Sequence, residues 1–507
     1  MSTDTKNSAT AVRKEDYIPT KEKVLYGAAD LFGGGQAAML SVILLVFFTD
    51  RIGIEAAIAS SIIMLSKIWD AISDPTMGLI SENTRWSKLG RRKPYMVIGG
   101  LLIVPALALL FAPITSFSSA GKIVWMIVAY IVYCTVSTIS QVPYMSMSAD
   151  ISLDYNERNK ANTVKLIFDI AAAAIFYLLP LVLYEMLASG AITEMAFYLT
   201  VVFGFGILFG APLVVAGLKI NERVPYDKAV KVKFNFKQYF EGLKVKSYLW
   251  HILMYVTAFL CMDIVSALTM YYANYIVGSV ELFTIFGMTI KMSSAFIIAP
   301  LMVCAGGGIL VAYKLKSKKS KQFAYRFGLP VYILGAILMA CYQPSWPPIL
   351  VPIFAGIAGL GFAGAQSMPW LIFPDTVDVA ELKLGYRPTA NMSGVMTFGR
   401  KFATAFGVGM VGWVMSGAGY IAPTILEDGS SQLMTQPDSL YLAIRIMLGV
   451  SVSLLLITGF FASVKYKVTD KKLERVRYFN DINREGKNDT LTTEELQEKT
   501  ALLKELT

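Results

Sequence analysis

The sequence predicts an all-α membrane protein with twelve transmembrane helices in two six-helix, pseudo-symmetric halves. Three observations lead to this prediction: the chain is apolar throughout, long apolar runs recur along it, and its longest interior polar stretch divides them six and six. Of the 507 residues, 55% are hydrophobic and 16% are charged, against roughly 25% charged residues in soluble domains. The mean hydropathy of +0.54 agrees with a chain that lies mostly in a bilayer.

Each apolar run is long enough to cross a membrane as a helix. A crossing needs about 20 apolar residues, and a helix satisfies every backbone polar group within the segment. Most of the 46 Lys and Arg residues fall in the two termini and the even-numbered loops, so we expect both termini to be cytoplasmic. The expected spans are 25–49, 54–80, 95–113, 122–147, 160–187, 195–218, 248–275, 282–312, 324–342, 348–373, 389–417 and 438–464.

The spans define five regions along the chain. Basic loops follow both the second and the eighth span, which indicates two related halves, a recurring plan in secondary transporters. We expect the C-terminal tail to form two short solvated helices, the second opened by a capping box of Thr492 and Glu495. The regions are a cytoplasmic N-terminal tail (1–24), an N-terminal bundle (25–218), a cytoplasmic basic linker (219–247), a C-terminal bundle (248–464) and a cytoplasmic C-terminal tail (465–507).

Several function classes lack support in the sequence. It has no phosphate-binding loop of the nucleotide-driven pumps. Its four cysteines each stand alone in a predicted helix, which suggests neither a metal site nor a disulfide framework. The net charge of +10 follows from topology and from attraction to anionic lipid headgroups. We therefore expect no enzyme activity, no resident cofactor and no nucleic-acid partner.

The stretch "KIWDAISDP" puts Lys67, Asp70 and Asp74 inside the second predicted span. Each charge in hydrocarbon costs at least ~2.5 kcal/mol. The two aspartates are four residues apart and share a helix face. Two such carboxylates repel each other, so one is protonated or both share a cation. A structural pair of Lys67 with Asp70 is the alternative, but one lysine cannot neutralise two acids. Ser73 adds an oxygen ligand, and the sequence predicts a cation-coupling site.

Polar residues of the first, fourth and fifth spans leave more than one interpretation. Asp30, which follows Tyr26, is either a site residue or the cap of a bent helix, and we favour the site. Lys165 and Asp169 form either a local salt bridge or a substrate contact. Gln141 suits sugar hydroxyls or a helix–helix hydrogen bond, and the Tyr26 ring is a candidate for stacking on a sugar.

Two later spans carry further charges. Lys401 lies deep in the eleventh span and needs an acidic partner or a substrate, so it is a candidate partner for the aspartates of the second span. Arg400 beside it faces away and is expected to be structural. Asp263 and Lys291 are expected to form a structural pair between the seventh and eighth spans.

These residues resemble a known family, the glycoside–pentoside–hexuronide:cation symporters of the melibiose permease type, within the major facilitator superfamily. The likeness covers nearly the full chain. The W-D-x-x-x-D-P element of the second span and the D-x-x-E-x-K-x-G-x-R loop are together specific. The matching stretches are "VLYGAADLFGG", "FFTDRIGI", "KIWDAISDPTMGLISENTRWSKLGRRKPY", "VPYMSMSADISLDYNERNKAN", "FPDTVDVAELKLGYRPTANMSGVMTFGRK" and "YKVTDKKLERV".

The resemblance implies the major facilitator fold and symport of a glycoside with Na⁺, Li⁺ or H⁺ by alternating access. It assigns roles to matched positions: cation-binding acids (Asp70, Asp74), a nearby polar residue of span four (Thr138), a coupling lysine with a threonine one turn earlier (Lys401, Thr397) and a cytoplasmic-loop arginine linked to coupling and gating (Arg158).

The chain departs from the melibiose-transporting members mainly where they grip the sugar. Gly34 and Gln141 stand where they have acids, Met145 stands for a stacking tryptophan, and Lys165 for an arginine. Ser73 replaces an asparagine near the second cation-binding acid, which makes Na⁺ a less secure expectation than H⁺. The substrate is therefore not expected to be melibiose.

The sequence thus predicts a monomeric, cation-coupled (H⁺ or Na⁺) symporter of a sugar or glycoside in the bacterial inner membrane. Two alternatives stay open: a symporter of the same fold for a lysophospholipid or another small molecule, and a non-transporting membrane sensor. The expected residues are Asp70, Asp74, Ser73 and Thr138 for the cation (with Asp70 and Asp74 as Na⁺ ligands), Asp30, Tyr26, Gln141, Lys165, Thr397 and Lys401 for the substrate, and Arg158 and Lys67 for coupling.

Overall fold

The computed structural model describes residues 17–84, 89–152, 154–223, 239–278, 280–285, 288–291, 293–487 and 491–507, except for the side chains of 149, 155, 281–291 and 390. Parts of the basic loop after the second span and of the 219–247 linker therefore lie outside the described residues. The helices are α1 (Thr20–Ala28), α2 (Leu31–Val46), α3 (Ala56–Asn83), α4 (Lys93–Leu110), α5 (Ser119–Asp150), α6 (Tyr155–Ala188), α7 (Glu194–Leu199), α8 (Gly206–Lys219), α9 (Lys246–Tyr271), α10 (Ala295–Lys318), α11 (Lys321–Cys341), α12 (Leu350–Leu384), α13 (Thr389–Gly417), α14 (Asp438–Ile446), α15 (Val452–Lys465), α16 (Asp470–Arg484) and α17 (Thr493–Leu506).

Short π-helical segments continue four of the spans, at Phe47–Arg51, Thr200–Phe205, Tyr272–Val277 and Met447–Ser451. A single 3₁₀ turn within the described residues covers Glu241–Lys244. The strands are β1 (Glu281–Ile285), β2 (Met288–Lys291), β3 (Thr424–Ile425) and β4 (Ser431–Gln432), and they form two antiparallel hairpins.

The described part of the chain contains 11 helical stretches that are long and apolar enough to cross a membrane. The protein is therefore a multi-pass integral membrane protein. The helix α13 covers the expected eleventh span but is not among these stretches, and it carries Arg400 and Lys401 near its middle. The twelfth crossing and the cytoplasmic position of the termini remain predictions.

The predicted start of the eighth span is wrong. The strands β1 (Glu281–Ile285) and β2 (Met288–Lys291) pair in this region, with Thr284 opposite Thr289, and α10 begins only at Ala295. The segment is rich in β-branched and aromatic residues, which favour a strand. An apolar run of this length cannot be assigned to helix or strand by periodicity alone.

Cα positions group the chain into two compact units, one comprising Met1–Leu40, Ile72–Leu183 and Ala191–Lys233, the other Ser41–Ala71, Tyr184–Gly190 and Phe234–Thr507. In the first unit, α4 packs on α8 so closely that a Cβ on Gly210 would lie 2.3 Å from the Gly100 carbonyl oxygen. In the second unit, α12 packs on α11 through Gly361, where a Cβ would lie 2.2 Å from the Tyr332 nitrogen. The bounds of the two predicted six-helix bundles remain a prediction.

The tail forms the two expected helices, α16 and α17. The capping box is present, since Thr492 accepts a hydrogen bond from the Glu495 backbone and Glu495 accepts one from the Thr492 backbone. In α16, Arg477 donates to Asp378 at 2.8 Å and Arg484 donates to Glu381 at 2.7 Å. The tail is therefore anchored to the end of α12 by charge-assisted hydrogen bonds.

We expect Gly361→Ala to lower the apparent melting temperature of the purified protein. Its new methyl group would meet backbone atoms of α11, which cannot yield as a side chain does, and overpacking of this kind costs roughly 1–3 kcal/mol. Gly307→Ala is the matched control, because its Cβ meets nothing within 4 Å. Thermal unfolding in detergent measures both variants, and equal melting temperatures would contradict the packing described here.

Candidate functional site

The helix α3 carries both acids of the second span. It runs unbroken through Pro75, which has no N–H to donate to the carbonyl of Ala71. The oxygen of Ala71 thus lies between Asp70 and Asp74 along the helix without its usual helical donor. Two carboxylates and one backbone oxygen follow one another within a single turn.

Asp70 is buried in the second unit, next to two lysines. The Lys67 nitrogen lies 3.4 Å from Asp70 Oδ2, and the Lys401 nitrogen from α13 lies 3.8 Å from the same oxygen. The structure therefore brings Lys401 to the second span, as the sequence suggested. Asp70 therefore has two ammonium groups nearby, one from Lys67 of its own helix and one from Lys401 of α13.

Asp74 lies in the first unit and has hydroxyl neighbours. Thr138 of α5 donates to Asp74 Oδ1 at 2.9 Å, and the hydroxyls of Ser73 and Thr138 are 3.1 Å apart. The predicted cation ligands Asp74, Ser73 and Thr138 therefore meet at one place. Oxygen atoms of this kind suit a hard cation such as Na⁺, and the carboxylate alone suits a proton.

A second polar cluster in the first unit is built on Asp30, at the break between α1 and α2. The Lys165 nitrogen lies 3.5 Å from Asp30 Oδ2, 3.1 Å from the Met145 sulfur and 5.5 Å from the centre of the Tyr144 ring. The break at Asp30 and the glycines after it allow this approach, since a Cβ on Gly34 would lie 2.4 Å from the Asp169 carbonyl oxygen. Lys165 thus reaches across helices to Asp30.

Tyr26, a candidate for stacking on a sugar, is buried against its neighbour. Its ring centre lies 5.3 Å from that of Tyr144, and the Tyr144 hydroxyl donates to the Tyr26 carbonyl at 2.8 Å. The Tyr26 hydroxyl donates to Asn162 at 3.4 Å. In this conformation both rings pack together and neither face of Tyr26 is open.

An amide network beside this cluster was not predicted from the sequence. Gln36 of α2 donates to Ser137 at 3.0 Å and to Gln141 at 3.2 Å, and it accepts from Tyr133 at 2.6 Å. Gln141 was a candidate, and the structure joins it to Gln36. In the sequence, Gln36 could have been noticed only as a polar side chain within an apolar run.

Other candidates lie apart from these groups. Thr397 is exposed, and its hydroxyl donates to the Ser393 carbonyl of its own helix at 3.0 Å. Arg158 lies in the first turn of α6, where its backbone N–H donates to the Asp154 carbonyl. Within the described part of the chain, no hydrogen bond or ion pair joins either side chain to the acids of α3.

Asp263 of α9 pairs with Arg400 of α13. Arg400 grips this carboxylate with both amino nitrogens, at 2.5 and 2.9 Å, and Thr404 donates to it at 2.8 Å. The planar guanidinium matches a carboxylate in two places, so Arg400 has the structural role expected of it. The side chain of Lys291 lies outside the described residues.

Comparisons with known proteins show which family the chain resembles. A family model described as "MFS/sugar transport protein" matches residues 25–470. The chain is 26% identical to the uncharacterized symporter YjmB of Bacillus subtilis (82% of this chain, 88% of the relative) and 22% identical to the isoprimeverose transporter of Lactiplantibacillus pentosus (81% and 83%). It is also 22% identical to the sodium-dependent lysophosphatidylcholine symporter 1 of Xenopus tropicalis (89% of each chain).

The fold is that of solved transporters of the same superfamily. The nucleoside transporter NupG superposes with a TM-score of 0.54 at 13% identity, over 89% of this chain and 100% of that one. At this identity the likeness concerns the fold alone. Together with the family match over most of the chain, it shows that this protein belongs to the MFS/sugar transport family, the melibiose-permease-like branch of the major facilitator superfamily.

Proposed function

We propose that this protein is a cation-coupled symporter that carries a sugar or glycoside across the plasma membrane by alternating access. The observation that carries the proposal is the acid pair Asp70 and Asp74, one turn apart on a membrane helix, with lysine and hydroxyl partners. The family description and the name of the isoprimeverose transporter support a sugar substrate.

The acid pair can link cation occupancy to the position of α13. When no cation is bound, Asp70 is compensated by Lys67 and Lys401. A cation that binds beside Asp74 changes the charge that these lysines compensate, because two carboxylates in low dielectric depend strongly on each other. Lys401 can then leave Asp70 at a lower energetic cost, and α13 moves with it. Cation binding and the movement of α13 are coupled because Lys401 favours Asp70 when the cation site is empty and is released from it when the site is occupied.

Both H⁺ and Na⁺ fit the residues at this site. A proton needs only a carboxylate, whereas Na⁺ needs several oxygens, and the side chains of Asp74, Thr138 and Ser73 could supply them. The relative from Xenopus tropicalis is named as sodium-dependent, which favours Na⁺. Ser73, where melibiose transporters have an asparagine, favours H⁺.

The substrate groups of the first unit suit a neutral polyhydroxyl compound. Asp30 and Lys165 carry opposite charges and lie 3.5 Å apart, so each already has an ionic partner within the protein. Gln36 and Gln141 offer amide donors and acceptors of the kind that bind hydroxyl groups. Met145, which is 48% exposed beside Lys165, would provide the apolar contact in place of an aromatic ring.

A second candidate substrate is a lysophospholipid. The relative named for lysophosphatidylcholine transport matches 89% of this chain, more than the isoprimeverose transporter does, and the exposed Met145 would also suit an acyl chain. The fold and the acid pair would serve either substrate. An uptake experiment therefore has to include both classes.

We expect membrane vesicles that contain the protein to accumulate a glycoside when a proton or a sodium gradient is imposed. A panel of radiolabelled glycosides and lysophosphatidylcholine identifies the substrate, and the two gradients identify the ion. Asp74→Asn should abolish uphill accumulation while membrane insertion stays normal, because an amide does not take up a proton and offers Na⁺ no negative charge.

Asp428→Asn is the control for this experiment, since it removes an exposed loop carboxylate. Full uphill accumulation in Asp74→Asn would refute the proposed coupling site. Accumulation of lysophosphatidylcholine alone would replace the sugar by the second candidate.

We expect Asp30→Asn and Lys165→Gln each to lower glycoside uptake at least tenfold, by removing hydroxyl-binding groups and leaving a buried charge without its partner. The double variant Asp30→Asn/Lys165→Gln separates binding from structure. If both residues contact the substrate, the double variant stays inactive although its melting temperature recovers. Uptake restored in the double variant would mean that the pair is only structural.

A further inference from the structure

The second unit carries an apolar groove on its surface, between α11 and α15. It has a volume of about 390 Å³ and is lined by Leu329, Pro330, Ile333 and Ile337 of α11 and by Ile457 and Phe460 of α15. Its rim is exposed, with Leu334 52% and Phe461 62% accessible. Because both helices are membrane-spanning stretches, an apolar groove here opens toward the bilayer.

The two helices run antiparallel, and their contacts fix which ends lie together. Gln322 at the start of α11 donates to the Val468 carbonyl just beyond α15 at 2.5 Å. One turn further along, Arg326 donates to the Ser463 hydroxyl at 2.7 Å and to its carbonyl at 2.9 Å. The groove begins on the next turn of α11.

The end of the groove beside these contacts is basic. Arg326 uses Nε and Nη2 for Ser463, and its Nη1 has no protein acceptor within the described residues. Lys465, the last residue of α15, is exposed and follows Phe461 of the groove by four residues, so the two share a helix face. Lys319, just before α11, is also exposed and lies over the Phe323 ring at 4.4 Å.

We propose that this groove binds an anionic phospholipid, with one acyl chain between α11 and α15 and the phosphate at Arg326 and Lys465. Charge complementarity identifies the occupant: the groove is apolar along its length, and the end at Arg326 carries guanidinium and ammonium groups that are not engaged by carboxylates in the described contacts, as a lipid is apolar along its chain and anionic at its headgroup. Arginine presents a fork of donors that suits phosphate oxygens, and basic pockets beside membrane helices bind such headgroups. The inference does not rest on the proposed transport function.

The basic end belongs to the side of the membrane where the positive-inside pattern puts the cytoplasm. A lysine at the end of a membrane helix extends its side chain so that the ammonium group reaches the depth of the lipid phosphates in that leaflet. A lipid with its headgroup at Lys465 would therefore lie in the inner leaflet with its chain pointing to the bilayer centre. Its acyl chain would contact both α11 and α15 and would stabilise their packing along the groove.

The test is native mass spectrometry of the full-length protein in detergent, titrated with phosphatidylglycerol or phosphatidylcholine of identical acyl chains. We expect phosphatidylglycerol to bind more tightly, by about fivefold for each cation that meets the phosphate. Lys465→Gln and Arg326→Gln should each remove about fivefold of that preference. Lys219→Gln is the matched control, because Lys219 is likewise the exposed last residue of a membrane helix, α8.

Ile333→Trp tests the groove without touching the charges. The larger side chain should fill the groove and abolish binding of the tight lipid, whereas Leu310→Trp, on the 74% exposed position of α10, should leave it unchanged. This variant keeps the test decisive if Arg326→Gln fails to fold. Equal affinity for the two lipids, or unchanged binding in Ile333→Trp, would overturn the proposal.

Discussion

A charged side chain inside a membrane protein must be neutralised where it lies, because water is not there to solvate it. The polar contacts of this protein follow from that constraint. Asp70 meets Lys67 and Lys401, Asp30 meets Lys165, and Asp263 is gripped by Arg400. These pairs are not equivalent. The Arg400 pair is bidentate and suits a permanent link, whereas the lysines near Asp70 lie at 3.4 and 3.8 Å and are loose enough to exchange partners.

The difference between a fixed ion pair and a looser one explains how a membrane helix can carry charges for stability and still offer a carboxylate for ion binding. A carboxylate that is fully satisfied by a fixed partner has no reason to bind a transported ion. Asp74, with hydroxyl neighbours on α3 and α5, offers a ligand set that either a proton or Na⁺ completes. In the proposed mechanism, cation binding would exchange one partner for another rather than bury a new charge, which would keep the cost of moving an ion into the protein low.

The sequence predicted the features that cost most energy and missed those that cost little. Lys67, Asp70 and Asp74 stand out in an apolar run, and so does Lys401, whose need for an acidic partner follows from the cost of burying a charge. The network of Gln36 with Gln141 could not be predicted, because an uncharged amide gives a weak signal and its partner depends on how α2 and α5 are rotated. The pairing of Asp263 with Arg400 likewise depends on how α9 and α13 pack. The start of the helix predicted over 282–312 was wrong because the apolar run there has no period that distinguishes a helix from a strand.

The central claim is that substrate moves together with a cation bound at α3. Substrate-induced ion flux tests it most directly: glycoside is added to de-energised vesicles while H⁺ and Na⁺ outside are recorded with selective electrodes. The account predicts that one of the two ions enters with the sugar. Thr138→Val should weaken the apparent ion affinity about tenfold, through loss of a charged hydrogen bond worth roughly 1.5 kcal/mol, while Thr135→Val, one turn earlier with its hydroxyl on the Ile131 carbonyl, should not. Sugar entry without movement of either ion, or equal ion affinity in the two variants, would contradict the account.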